Sequence, residues 1–360
     1  MKTISACLVR LSLMMAILVV VGVFSAILLL PGRIEELGQH AVDYFDKPAS
    51  AVNSQVLFRI NPGENAATIG ERLEAQGLIR SADVFRVIVT YYRISGSLEA
   101  GEYELRPDMT VTEIITVIHK GLIKTTLITI PEGWRTAQIA ESLGKQGIFG
   151  KEELLKAAKD GNYGYDFLQS GSSGAYLEGY LFPDTYRIPP SISPSDLVNY
   201  LLKNFDQRVT PAMRNKVAAS GLTLHETVTL ASIVERESAA TSERPLIASV
   251  FLNRLELGMP LQADATVQYA IANDPASVAR FGFWKVGLTQ ADLDVVSPYN
   301  TYRNRGLPPG PICNPGLESI QAVIQPADSN FLYFVAAGDG SHAFAKTLSE
   351  HERNIRLYQR

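Results

Sequence analysis

Cysteine is nearly absent: Cys7 and Cys313 are the only two in 360 residues. A disulfide framework is therefore excluded, and a long apolar run between the two keeps them from pairing with each other. The five histidines, His40, His119, His225, His342 and His351, are scattered; none stands at zinc-ligand spacing and no H-E-x-x-H frame occurs. Neither a metal nor a cofactor is expected. Runs of like charge are missing as well. With 33 basic against 37 acidic residues, and no basic block interleaved with aromatics, the footprint of a phosphate-backbone binder is absent and nucleic acid is not expected as a partner.

What is present begins with one apolar stretch. Leu11 to Leu30, LSLMMAILVVVGVFSAILLL, carries no charge over 20 residues. At about 1.5 Å per residue it reaches roughly 30 Å, the thickness of a bilayer's hydrocarbon. The reading is a single transmembrane helix over 11–30; a cleaved signal peptide is the alternative, although its apolar core is usually only ~7–15 residues. Lys2 and Arg10 precede the run with no acid among residues 1–10, so the N-terminus is expected in the cytoplasm and everything after residue 30 outside it.

The length and the 46% hydrophobic content imply two or three compact units. Residues 31–55 read as a polar connector. From residue 56, FRINPGENAATIGERLEAQGLI reads as strand, P-G turn and helix. ITIPEGWRTAQIAESLGKQGIF repeats the plan 70 positions later, pairing Ile60 with Ile130, Gly63 with Gly133, Ile69 with Ile139, Leu73 with Leu143 and Gly77 with Gly147. Each copy is too small to bury its own apolar face, so the two are expected to pack on one another or on something larger. Between them lie a short strand and a helix capped at Thr110 or Thr112 and ended by Gly121. The unit over 56–122 fits a LysM-like α/β module that binds glycan, and equally a structural spacer.

Further on, AYLEGYLFPDTYRIPP combines Tyr176, Tyr180, Phe182 and Tyr186 with Glu178 and Asp184. Rings and carboxylates are what a sugar site needs, for stacking and for charge-assisted hydrogen bonds; tyrosines filling core edges are the competing reading. Helices follow from Asp196 to Glu237, the last opened by a Thr223–Glu226 capping box. Next comes a helix with Ser242 as cap, Pro245 in its first turn and Gly258 as terminator. The remainder reads as loop-rich, MPLQADATVQYA included, apart from a helix at LESIQAVIQ, a strand at FLYFVAAGDG and a terminal helix.

The helix LTLHETVTLASIVERES ends with two acids in apolar surroundings. At about 100° per residue, Glu237 shares a face with Leu230, Ile233 and Val234, and Glu235 shares one with Leu224, Val228 and Ala231, so the two point about 200° apart and cannot serve one site. A carboxyl in an apolar lining keeps its proton and can donate it to a leaving oxygen. A structural carboxylate paired with Arg236 or Arg244 is the alternative for either acid, and periodicity does not choose between them.

The motifs EGYLFPDTY (178–186), ASIVERES (231–238), SVFLNRL (249–255), LQADATVQYA (261–270), SPYNTY with GLPPGPI (297–312) and YFVAAGDGSHAF (333–344) together resemble the endolytic murein transglycosylases, the YceG-like family. The resemblance implies an α+β chain: an N-terminal anchor, the LysM-like module, and a larger mixed α+β catalytic domain over 123–360 with a lysozyme-like helical core. It implies a bacterial inner-membrane enzyme cutting the β-1,4 bond between N-acetylmuramic acid and N-acetylglucosamine within nascent peptidoglycan strands. The product would be a 1,6-anhydro end, and glycan polymerases the expected neighbours. The family's Glu-Ser pair places the catalytic acid on Glu237, before Ser238, with Glu235 as the second choice. Carried over from the motifs as substrate-binding residues are Glu178, Gln262, Asp264, Tyr299, Asn300 and Tyr302. Where such sequences commonly have Asp-Pro-Thr, this chain has Asp264-Ala265-Thr266.

Overall fold

The structure is a computed structural model that describes residues 46–121, 125–168, 177–190, 192–238 and 240–359. The expected membrane helix, Cys7 and Tyr176 lie outside the described residues. Among the described residues no single helix is long and apolar enough to cross a membrane. The fold is mixed, with many helices and small two-stranded antiparallel sheets, and it divides into two units at Thr125/Thr126.

The first unit runs β1 (Val56–Ile60), α1 (Ala66–Ala75), α2 (Ala82–Tyr91), β2 (Gly101–Leu105) and α3 (Val111–His119). β1 and β2 pair antiparallel, with Phe58 opposite Tyr103. Inward-facing Phe58, Ile60, Ile69, Leu73, Phe85, Ile88, Tyr103, Leu105, Ile114 and Ile118 form a closed core. Thr110, not Thr112, caps α3, in a reciprocal box with Glu113. The first repeat does not close a core alone: α2, β2 and α3 complete one around it, so of the two expected solutions it packs on a larger body and not on its copy.

The second unit opens with the second copy: β3 (Thr126–Ile130), α4 (Thr136–Lys145), α5 (Lys151–Asp160) and, after a longer connection, β4 (Asp184–Ile188). β3 and β4 pair antiparallel, so both copies are β-α-α-β. Their correspondence extends to backbone geometry. Gly63 and Gly133 end their strands at φ +78° and +74°, and Gly77 and Gly147 end their first helices at φ +68° and +70°, a region that glycine enters without a Cβ penalty. Unlike the first copy, this one merges into a large core with α6 (Pro194–Arg208), α7 (Pro211–Ala219), α8 (Leu224–Glu237), α9 (Arg244–Glu256), α10 (Asp264–Ile271) and α13 (Leu317–Ile324). α11 (Pro275–Phe281) and α12 (Gln290–Leu293) decorate the segment between α10 and α13, and the hairpin β5 (Tyr333–Ala336) and β6 (His342–Ala345) followed by α14 (Leu348–Tyr358) completes the chain.

Three local expectations change. MPLQADATVQYA contains α10 instead of being loop throughout. Ser242 lies in a 3-10 turn, Thr241–Glu243, that leads into α9, and does not cap it. The aromatic segment after residue 177 is core: Tyr180, Phe182 and Tyr186 are all buried, Tyr180 packing on Phe167 and Phe205, while Asp184 pairs with Arg208. Ring area of this size is worth more inside a core than at a wet surface, so the core-filling reading prevails.

Candidate active site

α8 is the central element. The Thr223–Glu226 box fixes its start, and Val228, Leu230, Ala231, Ile233 and Val234 are fully buried. Three hydroxyls in this buried helix bond back to its own carbonyls: Thr227 to Thr223 at 3.0 Å, Thr229 to His225 at 2.8 Å and Ser232 to Thr229 at 2.7 Å. That internal satisfaction is what lets polar residues sit in an apolar environment. The helix stops at Glu237 because Ser238 turns extended (φ −101°, ψ 117°), and the Ser238 hydroxyl donates to the Ala240 carbonyl at 2.7 Å.

The two terminal acids diverge, as the wheel requires. Glu235 faces α9 and α13. Its Oε1 takes the Arg244 guanidinium at 2.9 Å, and its Oε2 accepts the Gly316 N–H at 3.0 Å and the Ser319 hydroxyl at 2.7 Å. With side chains 6% and 9% exposed, Glu235 and Arg244 are a closed pair. Glu237 faces α10 instead. Among the described residues its Oε1 accepts only a long bond, 3.4 Å, from the Ala265 N–H. Burial, and after it the Asp264 charge, push the Glu237 carboxyl up to about 7, against opposing pulls from the Ala265 N–H and the Arg236 charge.

Around Glu237 the structure gathers two of the motif residues. The Tyr302 hydroxyl donates to Asp264 Oδ1 at 2.6 Å, and the electrostatic coupling of both to Glu237 places them in one cluster. Gln262 lies just before α10, exposed, with φ +51°, a left-handed conformation that a non-glycine residue adopts at some cost. What holds it is the Asn300–Tyr302 turn. Thr301 carbonyl accepts from the Gln262 N–H at 3.2 Å, and Thr301 Oγ1 accepts from Ala263 at 3.0 Å and meets Thr266 Oγ1 at 2.8 Å. Asn300 does not face the cluster. It is fully buried and donates to the carbonyls of Leu293 and Val295, both at 2.8 Å, so its amide fixes the turn and is not offered to a ligand.

Glu178 and Tyr299 belong to a second cluster. Glu178 is buried, and among the described residues its hydrogen bonds all fall on Oε1: from the Thr136 N–H at 2.8 Å, the Thr136 hydroxyl at 3.1 Å and the Asn314 amide at 3.3 Å. Burial raises its carboxyl to about 7, against the opposing pull of Arg135. Tyr299 packs on Tyr269 at 4.7 Å, and Arg135 lies over the Tyr269 ring at 4.0 Å. Tyr269 and Asp264 share α10, five residues or about 7.5 Å of helix apart, so α10 links the two clusters.

The pattern that defines the YceG-like family matches residues 58–357. The chain belongs to this family. It is 32% identical over 316 residues to the endolytic murein transglycosylase of Bacillus subtilis, covering 84% of each chain. It is 34% identical to the pneumococcal endolytic murein transglycosylase of strain D39, over 83% of this chain and 58% of that protein, so it spans little more than half of the pneumococcal relative. A crystal structure of a YceG-like protein from Listeria monocytogenes superposes with a TM-score of 0.56 at 32% identity, over 84% of this chain and 99% of that one.

The structure also ties to these clusters residues that the motif reading passed over. Asn314 is the hub: fully buried, it accepts from the Gly179 and Leu181 N–H groups at 3.0 and 2.9 Å and donates to Trp134 and Glu178. Gly179 beside it has φ +91°, and a Cβ there would lie 2.5 Å from Pro311. Arg135, Trp134 and Trp284 are the others. The only signal for them was their presence in PEGWR and FGFWK, which carry no spacing that marks chemistry.

Proposed function

We propose that this YceG-like chain is a lytic transglycosylase of peptidoglycan, cleaving the N-acetylmuramic acid to N-acetylglucosamine β-1,4 bond inside nascent strands. The observation that carries the proposal is the contrast at the end of α8: Glu235 is closed by three donors, while Glu237 keeps a carboxyl raised to about 7 and, among the described residues, only one weak partner. A group that is protonated near neutrality and still able to reach a substrate is what a general acid requires. Glu237 protonates the glycosidic oxygen, and an oxocarbenium-like state forms at the muramyl C1. The resulting Glu237 carboxylate then removes the proton from the C6 hydroxyl as that oxygen attacks C1, which closes the 1,6-anhydro ring. Asp264, oriented by Tyr302, sets its negative charge against the oxocarbenium. Gln262 is assigned to substrate sugar hydroxyls, and Glu178 and Tyr299 to the second cluster's part of the strand.

A hydrolytic muramidase is the second reading, and the observation in its favour is the proximity of Asp264, which would activate a water in place of C6–OH. Digestion of uncrosslinked nascent glycan decides by product mass. The transglycosylase leaves 1,6-anhydro ends, one water lighter than the reducing ends a hydrolase leaves; reducing ends alone overturn the proposal.

The 11–30 run anchors the enzyme in the bacterial inner membrane, with residues 1–10 in the cytoplasm and the rest outside. That position supports a role in ending new strands beside peptidoglycan synthases. The β-α-α-β order of the first unit supports its assignment as a LysM-like glycan-binding module.

A further inference from the structure

Between the two glutamates stands Arg236, whose charge acts on Glu237 through space and without contact. Glu235 is taken by Arg244 and Glu237 lies against Ala265, and among the described residues Arg236 has neither an ion pair nor a hydrogen bond, its Nε being buried without a partner. It is nevertheless held in place. Its guanidinium lies 4.0 Å from the centre of the Trp284 ring. Gly133 also stands close to it, where a Cβ would come within 3.3 Å of Nη1.

Trp284 is itself fixed from two elements. Its indole N–H donates to Gln138 of α4 at 3.0 Å, and the carbonyl of its neighbour Lys285 accepts from Gln268 of α10 at 2.8 Å. α10 is the helix whose first turn meets Glu237. The guanidinium is thus tied to the same framework as the proton donor, one residue away from it. A cation–π contact contributes on the order of 1 kcal/mol but leaves the charge uncompensated. A half-desolvated guanidinium favours a carboxylate, which it grips with two parallel hydrogen bonds.

We propose that Arg236, seated on Trp284, is a subsite for a carboxylate on the peptide substituent of the glycan. The inference rests on the transglycosylase reading, in which the substrate's sugar rings are neutral and its negative charge lies on the peptides carried by the muramyl residues. Glu237 acts at C1 of such a residue, so the substituent of that same sugar comes within reach of the neighbouring arginine. The subsite makes the enzyme favour glycan whose peptides carry free carboxylates over glycan whose peptide carboxylates are blocked.

The test compares peptide-bearing strands with the same strands after their peptide carboxylates are converted to methylamides with carbodiimide, at pH 5.5, where Glu237 holds its proton with or without the arginine's charge. Arg236→Gln is expected to raise KM on peptide-bearing strands about 10- to 100-fold, the loss of one charge-assisted contact, and to leave KM on the methylamidated strands unchanged. Arg236→Lys recovers part of the loss. Equal effects on both substrates, or none on either, overturn the subsite. Binding measured in a Glu237→Gln background gives the same comparison without turnover. If peptide-bearing strands bind there in an Arg236-dependent way while the wild type releases no product, the transglycosylase reading fails and the subsite stands; if binding is independent of Arg236, the subsite fails whatever the wild type cleaves.

Discussion

At the scale of single residues, the protein turns on how two carboxyls two positions apart are treated. Glu237→Gln removes the proton donor and is expected to lower the rate on glycan strands by about 10²- to 10⁴-fold with the fold intact, read by product release and circular dichroism. Because the acid form works first, the wild-type rate is expected to fall as pH rises through about 7. Stability carries the opposite signature to an ordinary ion-paired carboxylate. The native state holds this proton more tightly than the unfolded chain, so stability declines as pH rises from the ordinary carboxylate range through about 7. Glu237→Gln, free of that penalty, is expected to melt a few degrees above wild type at pH 8 and no higher at pH 4. Glu235→Gln behaves differently. It strips the buried Arg244 of its closest counter-charge and is expected to cost about 3 kcal/mol in denaturant unfolding, while the folded fraction keeps near wild-type turnover.

At the scale of elements, α10 and the Asn300–Tyr302 turn are one device, bolted by Thr301 and Thr266. Its contact with the donor passes through the Ala265 N–H, at the position where the Asp-Pro-Thr pattern would put proline. Proline suits the first helical turn but has no N–H. Ala265→Pro is therefore expected to remove a bond that favours the Glu237 carboxylate, raising its pKa further and moving the high-pH fall in rate upward; a pH-rate profile measures the shift. Much of this scale was legible beforehand. The capping box of α8, the repeat with its paired glycines, and the divergence of Glu235 from Glu237 follow from short-range spacing. α10 was not legible, because no polar cap precedes it: Ala263 stands at its N-cap and makes no side-chain bond. Asn300 was carried over as a substrate residue and Tyr180 was left open between groove and core for a related reason, since a ring or an amide serves a core as readily as a sugar.

At the scale of the whole molecule, the same β-α-α-β unit occurs twice with different fates: the first copy closes its own core and the second becomes one wall of a larger one. Deleting residues 1–30 is expected to move the protein from the membrane fraction to the soluble one on ultracentrifugation, with cleavage of isolated strands retained, since every candidate site residue lies well beyond residue 30.

The sequence by itself determined what depends on neighbours along the chain: helix starts, turn glycines, the apolar run, the repeat, and the motifs that resemble the YceG-like family. Which glutamate is closed and which is left open was decided only in three dimensions. Arg244, Gly316 and Ser319 reach Glu235 from elements 9 to 84 residues away, and Ala265 and Asp264 approach Glu237 from α10. A carboxyl's pKa and its freedom to act are set by the groups that surround it in space, and those groups assemble only when the core closes.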